Sequence, residues 1–182
     1  MGAEAVGILR AGQAGGALPP AFERLFRAEY ARVVRIAQRA LGDQDEAEDV
    51  AQDVFLSFYR AHPADASYAA SWLHAGAAHA ALNAIRTRKR RAARDAAHLA
   101  EREARAGADP ETEVIVAEER DAARAALGRI PARSATVLVL RYSGLSYREV
   151  AEAVGLPADQ VGTAIRRAEE AFKKEVMRDG AE

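Results

Sequence analysis

Residues 146–168 read SYREVAEAVGLPADQVGTAIRRA, and this stretch decides the fold. Ser146 followed three residues later by Glu149 is the S-x-x-E capping box that starts a helix. Val150, Ala151 and Val154 then share one helical face. Gly155 stands where a helix closes in a left-handed residue. Pro157 fixes the start of a second helix, whose apolar face is Val161, Ile165 and Ala168. Two short helices joined by a turn containing Gly make a helix-turn-helix, whose second helix enters the DNA major groove. An ordinary helical hairpin carries the same cap and faces, so the rest of the chain decides between the two readings.

Upstream, residues 132–142 (ARSATVLVLRY) are apolar enough for a buried helix. Their β-branched members also suit a strand, but no second strand candidate exists to pair with them, so helix is the reading. Pro131 stops the helix before it, which starts near Glu113 and carries Val114, Ile115, Val116, Leu127 and Ile130. Residues 92–113 are Ala, Arg and Glu with few large apolar side chains, the composition of a solvated linker. Downstream, residues 171–177 extend the last helix, and the end of the chain frays.

The first half is also helical. Phe22, Leu25, Phe26, Tyr30, Val33, Val34, Ala37 and Leu41 recur at helical spacing, and Gly42 ends that helix. A second helix, roughly residues 46–60, carries Val50, Val54 and Phe58 on one stripe, with Ala47, Ala51 and Phe55 beside it. Glu46, Asp49, Gln52 and Asp53 lie on its other face, and His62-Pro63 breaks it. Ser71 can cap a third helix from Trp72 through Leu82 and Ile85 into the basic run RTRKRR. Residues 1–20, rich in Gly and Ala and closed by Pro19-Pro20, read as a disordered tail. The expectation is an all-α chain of two small helical domains joined by a flexible polar linker. The first occupies residues 21–92, the linker 93–112, and the second, with the helix-turn-helix, 113–178.

The net charge of the 182 residues is −1, so nucleic-acid binding must rest on local charge. That charge is segregated. Residues 43–53 hold six acids and no base; residues 86–94 hold six bases and no acid. Two surfaces of opposite sign suit two different partners. Lys and Arg neutralise phosphates and release counterions, which gives affinity without sequence information. An acidic row beside a large apolar set (Phe55, Leu56, Phe58, Tyr59) suits docking on a basic helical hairpin, with charge steering and an apolar anchor.

The order of these motifs resembles the extracytoplasmic-function sigma factors, the short two-domain promoter-recognition subunits of bacterial RNA polymerase. The resemblance rests on FERLFRAEY, LGDQDEAEDVAQDVFLSFYR, and SWL followed by RTRKRR. In the second half it rests on AALGRIPARSATVLVLRYSGLSYREVAEAVGL and the helix after it. It implies a sigma subunit that binds core RNA polymerase and directs initiation at a subset of promoters. The polymerase-binding residues would be Asp45, Glu46, Asp49, Gln52, Asp53, Phe55 and Leu56, docking on clamp helices of the largest subunit. The downstream promoter element would meet Tyr68, Trp72, His79, Asn83, Arg86, Arg88, Lys89, Arg90 and Arg91. The helix-turn-helix would use Tyr147, Arg148, Gln160, Thr163, Arg166, Arg167, Lys173 and Lys174. The implied partners are core RNA polymerase, promoter DNA and an anti-sigma factor.

Residue chemistry supports these placements. An extruded base needs a pocket to offset a cost of a few kcal/mol, and the loop holding Tyr68 next to Trp72 is the candidate. Arg reads guanine and Gln reads adenine in the major groove. The chain also departs from the family pattern: Gly162 and Ala164 stand where basic residues are frequent, Glu169 and Glu170 add negative charge, and His79 and Asn83 replace Asn and Asp. Gly76 and Ala78 replace larger residues.

A free-standing helix-turn-helix regulator is the alternative function, but it has no use for the acidic helix. No nucleophile–base constellation is visible. His74 and His79 are five apart, not the four that puts two ligands on one face, so neither a catalytic nor a metal site is expected, and no cofactor. The chain has no cysteine and no apolar run long enough for a membrane span, which suits a cytoplasmic protein without membrane insertion.

Overall fold

A computed structural model describes residues 18–99 and 111–179. Seven α-helices and no strand occur among the described residues. They are α1 (Pro20–Leu41), α2 (Gln44–Ala61), α3 (Ala69–Leu99), α4 (Glu111–Arg129), α5 (Ala132–Tyr142), α6 (Tyr147–Val154) and α7 (Ala158–Asp179).

The helix ends follow local chemistry. Gly42 closes α1 with φ +75°, and its N–H donates to the Gln38 carbonyl. Asp43 caps α2, its carboxylate accepting from the Glu46 N–H at 2.8 Å. Ser146 and Glu149 form the full capping box of α6, and Gly155 closes it at φ +63°. Three expectations shift. Helix α3 begins at Ala69, and Ser71 lies inside it, its hydroxyl donating to the Tyr68 carbonyl rather than capping. The same helix continues past residue 92 to Leu99, because the Ala- and Arg-rich segment with the composition of a linker consists of good helix formers. Helix α4 starts at Glu111. Of the expected tail (1–20), Pro20 already belongs to α1, and residues 1–17, with the remaining linker (100–110), lie outside the described residues.

Helices α1, α2 and α3 form the first bundle, and α4 to α7 the second. In the first, Phe22, Phe26, Tyr30 and Phe55 make one aromatic cluster, with Phe26 and Phe55 ring centroids 4.9 Å apart. The bundles share a continuous core, because α5 packs against α1 and α3 as well as against α6 and α7. Residues 135–140 are therefore buried on every side. Polar bonds join the bundles at the rim of that contact. Arg32 of α1 donates to the Glu149 carboxylate at 2.7 Å, and Arg86 of α3 donates to the Gly128 and Ile130 carbonyls at 3.4 and 3.5 Å.

Candidate nucleic-acid interface

On α2, steps of four place Asp45, Asp49 and Asp53 along one face, and all three are exposed. Gln52 is half-buried beside them. Glu46 turns toward α3, where its carboxylate accepts from Arg88. The apolar set expected to be exposed here divides. Phe55 and Phe58 are fully buried, Phe55 among the rings of Phe22, Phe26 and Tyr30. Phe55 therefore belongs to the core, and the expectation that it touches a partner is corrected. The reason is register: Ala51, Val54, Phe55 and Phe58 recur at three and four and face inward together. Leu56 and Tyr59 fall on the next face and are 37% and 42% exposed. An acidic row with an apolar edge remains.

Helix α3 carries a second face. Trp72, His79, Asn83 and Arg90 recur at steps of seven, four and seven, which aligns them on one ridge. Trp72 is half-buried against Phe58 and His62, with centroids 5.4 and 4.8 Å away; the other three are exposed. Gly76 permits this closeness, since a Cβ there would lie 3.1 Å from Val54 and 3.6 Å from Trp72. Tyr68 is 47% exposed, and its hydroxyl lies 3.4 Å from His62 Nδ1. Reasoning from sequence missed His62, which stacks on Phe58 and links the loop to Trp72. In the sequence the His-Pro dipeptide signals a helix break and nothing about its ring.

The basic run does not act as one patch. Lys89, Arg90, Arg91 and Arg94 are exposed, while Arg88 is paired with Glu46 and half-buried Arg86 with the end of α4. Arg86 shares the ridge of His79 and Arg90 by spacing, but its guanidinium is engaged by the Gly128 and Ile130 carbonyls of the second bundle.

On α7, Gln160, Thr163 and Arg167 line one concavity with Ala164, and Arg133 and Ser134 of α5 complete its wall. Lys174, seven residues beyond Arg167, lies on the same face and is exposed. The sequence gives no signal for Arg133; its guanidinium donates to the Val154 and Gly155 carbonyls, tying α5 to the turn. Arg166 and Lys173 lie on another side. Arg166 pairs with Glu170 at 3.0 Å, and Lys173 faces α1. Glu169 points away from the concavity, its carboxylate accepting from the Tyr142 hydroxyl at 2.8 Å; that bond, then burial, raises the phenol pKa. Tyr147 and Arg148 stand exposed at the start of α6, with the Arg141 guanidinium 5.4 Å from the Tyr147 ring.

The Glu149 carboxyl is held at about 2, below its ordinary 4.5. The Ser146 hydroxyl is the largest cause, the Ser146 N–H the next, and the Arg32 charge adds to both. His74 is buried, with its Nε2 2.8 Å from Glu29, and His79 is exposed one turn on.

Two family descriptions match the chain: Sigma-70 region 2 over residues 25–91 and Sigma-70, region 4 over residues 120–172. The chain belongs to the extracytoplasmic-function sigma factors. Among its relatives is the ECF RNA polymerase sigma factor SigE of Mycolicibacterium smegmatis, 28% identical over 90% of this chain and 64% of that protein. The ECF RNA polymerase sigma factor SigW of Bacillus subtilis is 28% identical over 80% of this chain and 83% of that one. The RNA polymerase sigma-H factor of Pseudomonas aeruginosa is 29% identical over 85% of each. A solved structure of the sigma factor RpoE with the anti-sigma factor NepR, from Bartonella quintana, is similar at 16% identity and TM-score 0.45. That match covers 86% of this chain and 96% of the solved one. A sigma factor is the promoter-recognition subunit of RNA polymerase, and that is the functional class of this chain. In this sigma factor, region 2 spans the acidic face of α2 and the ridge of α3, and region 4 spans the concavity on α7.

Proposed function

We propose that the α2 face of Asp45, Asp49 and Asp53, edged by Leu56 and Tyr59, docks on core RNA polymerase. The ridge of Trp72, His79, Asn83 and Arg90, with Lys89, Arg91 and Tyr68, meets the promoter element nearer the start site. Tyr68 offers its exposed ring to an extruded base, where stacking is worth about 1–3 kcal/mol. Gln160, Thr163, Arg167 and Lys174 read the upstream element. Tyr147 and Arg148, exposed at the start of α6, contact its phosphates. The observation that carries this reading is the separation of an acidic face, a basic ridge and a groove-sized helix face onto three different helices of one chain. The chain performs no chemistry of its own, works in the cytoplasm with the core enzyme, and has an anti-sigma factor as its restraining partner.

Transcription in vitro with core polymerase and a genomic fragment library tests the proposal. New start sites that need the chain are expected; a chain that binds promoter fragments tightly but neither captures the core enzyme nor directs initiation would be a free-standing regulator. The concavity holds few cations and a neutral Gly162 beside it, so upstream DNA is held weakly without tethering to the polymerase. Fluorescence anisotropy of the full chain without core enzyme should find no nanomolar specific binding at physiological salt.

A further inference from the structure

We infer that the cleft between the two bundles is a binding site for a compact, phosphate-rich anion, which clamps region 2 and region 4 together. The cleft has a volume of about 1130 Å³. One wall is α1, with Arg35 and Arg39; the facing walls are α4 and α7, with Arg120, Arg124 and Lys173. Arg35, Arg39, Arg120 and Lys173 form no hydrogen bond or ion pair with any described residue. Arg124 donates to Asp121 at 2.6 Å, and Glu169, the one acid among the described residues of the lining, accepts from Tyr142.

Solvated cations are ordinary on a surface, but these come from three helices of two bundles and converge on one hollow. Bringing like charges together opposes closure of the bundles, and an anion between them reverses the sign of that effect. Arginine forks match phosphate oxygens in pairs of hydrogen bonds. The size selects a small ligand. Drug-sized molecules fill about 300–1,000 Å³, whereas a DNA duplex does not enter such a hollow. The floor is the apolar surface of α5 and Phe172, which has room for a base, so inorganic polyphosphate and a nucleoside polyphosphate share the chemistry required. Because the cations lie on both bundles, the ligand binds the closed arrangement better than a separated one, and by linkage it favours closure. The upstream-element face of α7 is not involved, since Gln160, Thr163 and Arg167 line a different concavity.

The test is calorimetry of the full chain at physiological salt with inorganic tripolyphosphate, and separately with ATP and GTP. Saturable one-to-one binding is expected. Arg35→Ala with Arg39→Ala weakens it at least tenfold, and so does Arg120→Ala, while Arg90→Ala with Arg91→Ala changes it less than twofold. Circular dichroism confirms that each variant is folded. Equal affinity for tripolyphosphate and nucleotide assigns the site to phosphate alone; tighter nucleotide binding places the base on the apolar floor. The chain has no cysteine, so one introduced in each bundle gives a clean dye pair, and tripolyphosphate should raise the urea concentration at which energy transfer between the bundles is lost. The inference is overturned by absence of binding up to millimolar anion, by equal loss in the Arg90/Arg91 variant, by an unchanged urea midpoint for the loss of energy transfer, or by capture of a poly-glutamate peptide without tripolyphosphate.

Discussion

Gly162 is an interior residue of α7 with an ordinary helical backbone, so its conformational freedom only weakens the helix, by about 1 kcal/mol relative to Ala. A Cβ there would meet the Tyr147 ring at 3.6 Å, an ordinary contact. Gly162→Ala should therefore raise stability by about 0.5–1 kcal/mol and the melting temperature by about 1–4 °C; a calorimetric scan showing a lower midpoint would contradict this. Gly42 behaves oppositely, because its φ is positive and the Arg124 guanidinium occupies the space a Cβ would need. Glu149 makes the other residue-scale prediction. Its carboxyl is depressed to about 2, so the stability it contributes is complete above its ordinary value of 4.5 and is lost as pH falls toward 2. Urea unfolding at a series of pH values should show that decline, and Glu149→Gln, which still suits a capping box, should flatten it. The box itself was legible from four consecutive letters. The Arg32 contact, 117 residues away, was not, because nothing local marks which cation meets an exposed-looking cap.

Helix α2 shows what a period reveals and what it hides. Its acidic and apolar residues were readable, but the apolar set was wider than one stripe, and periodicity alone did not say which rings face inward. Packing decides: Phe55 enters an aromatic cluster supplied by α1, and Leu56 and Tyr59 are left at the edge of the acidic row. Asp49 and Asp53 are exposed and have no partner among the described residues, so reversing both to Lys leaves the fold intact. The double change should weaken association with core polymerase at least tenfold, measured by anisotropy of a labelled chain; Leu56→Ala should cost less, about 1 kcal/mol for a half-exposed apolar anchor. An unaltered affinity would remove α2 from the docking surface. Helix α5 is the complementary case. Its unbroken apolar run was ambiguous between strand and helix because it is buried on all sides, at the centre where both bundles meet.

The closed arrangement of the two bundles is the feature least legible in the chain, since each bundle reads as a complete unit. Its polar ties are weak. The Arg32–Glu149 pair is partly exposed on both sides and is worth about 0.2–1 kcal/mol. Apolar contact between α3, α5 and α4 therefore holds the bundles, and Gly128 lies at a close approach within it: a Cβ there would lie 3.3 Å from the Ile85 methyl. Gly128→Leu adds a side chain at a point where a Cβ already crowds Ile85, and wedges α4 from α3. Small-angle scattering should then give a larger radius of gyration than the native chain, whose packed part should measure about 15 Å. Circular dichroism should hold most of its helical signal, because α5 loses its contacts with α1 and α3 but keeps those with α6 and α7. Opening also releases Arg86 from the Gly128 and Ile130 carbonyls and returns it to the basic run. The wedge variant should therefore bind non-specific DNA more tightly and with a steeper salt dependence, the log–log slope growing by about one for the additional phosphate that Arg86 neutralises. If the radius grows while the slope stays fixed, Arg86 takes no part in DNA binding even when free, and the phosphates are neutralised by Lys89, Arg90 and Arg91 alone.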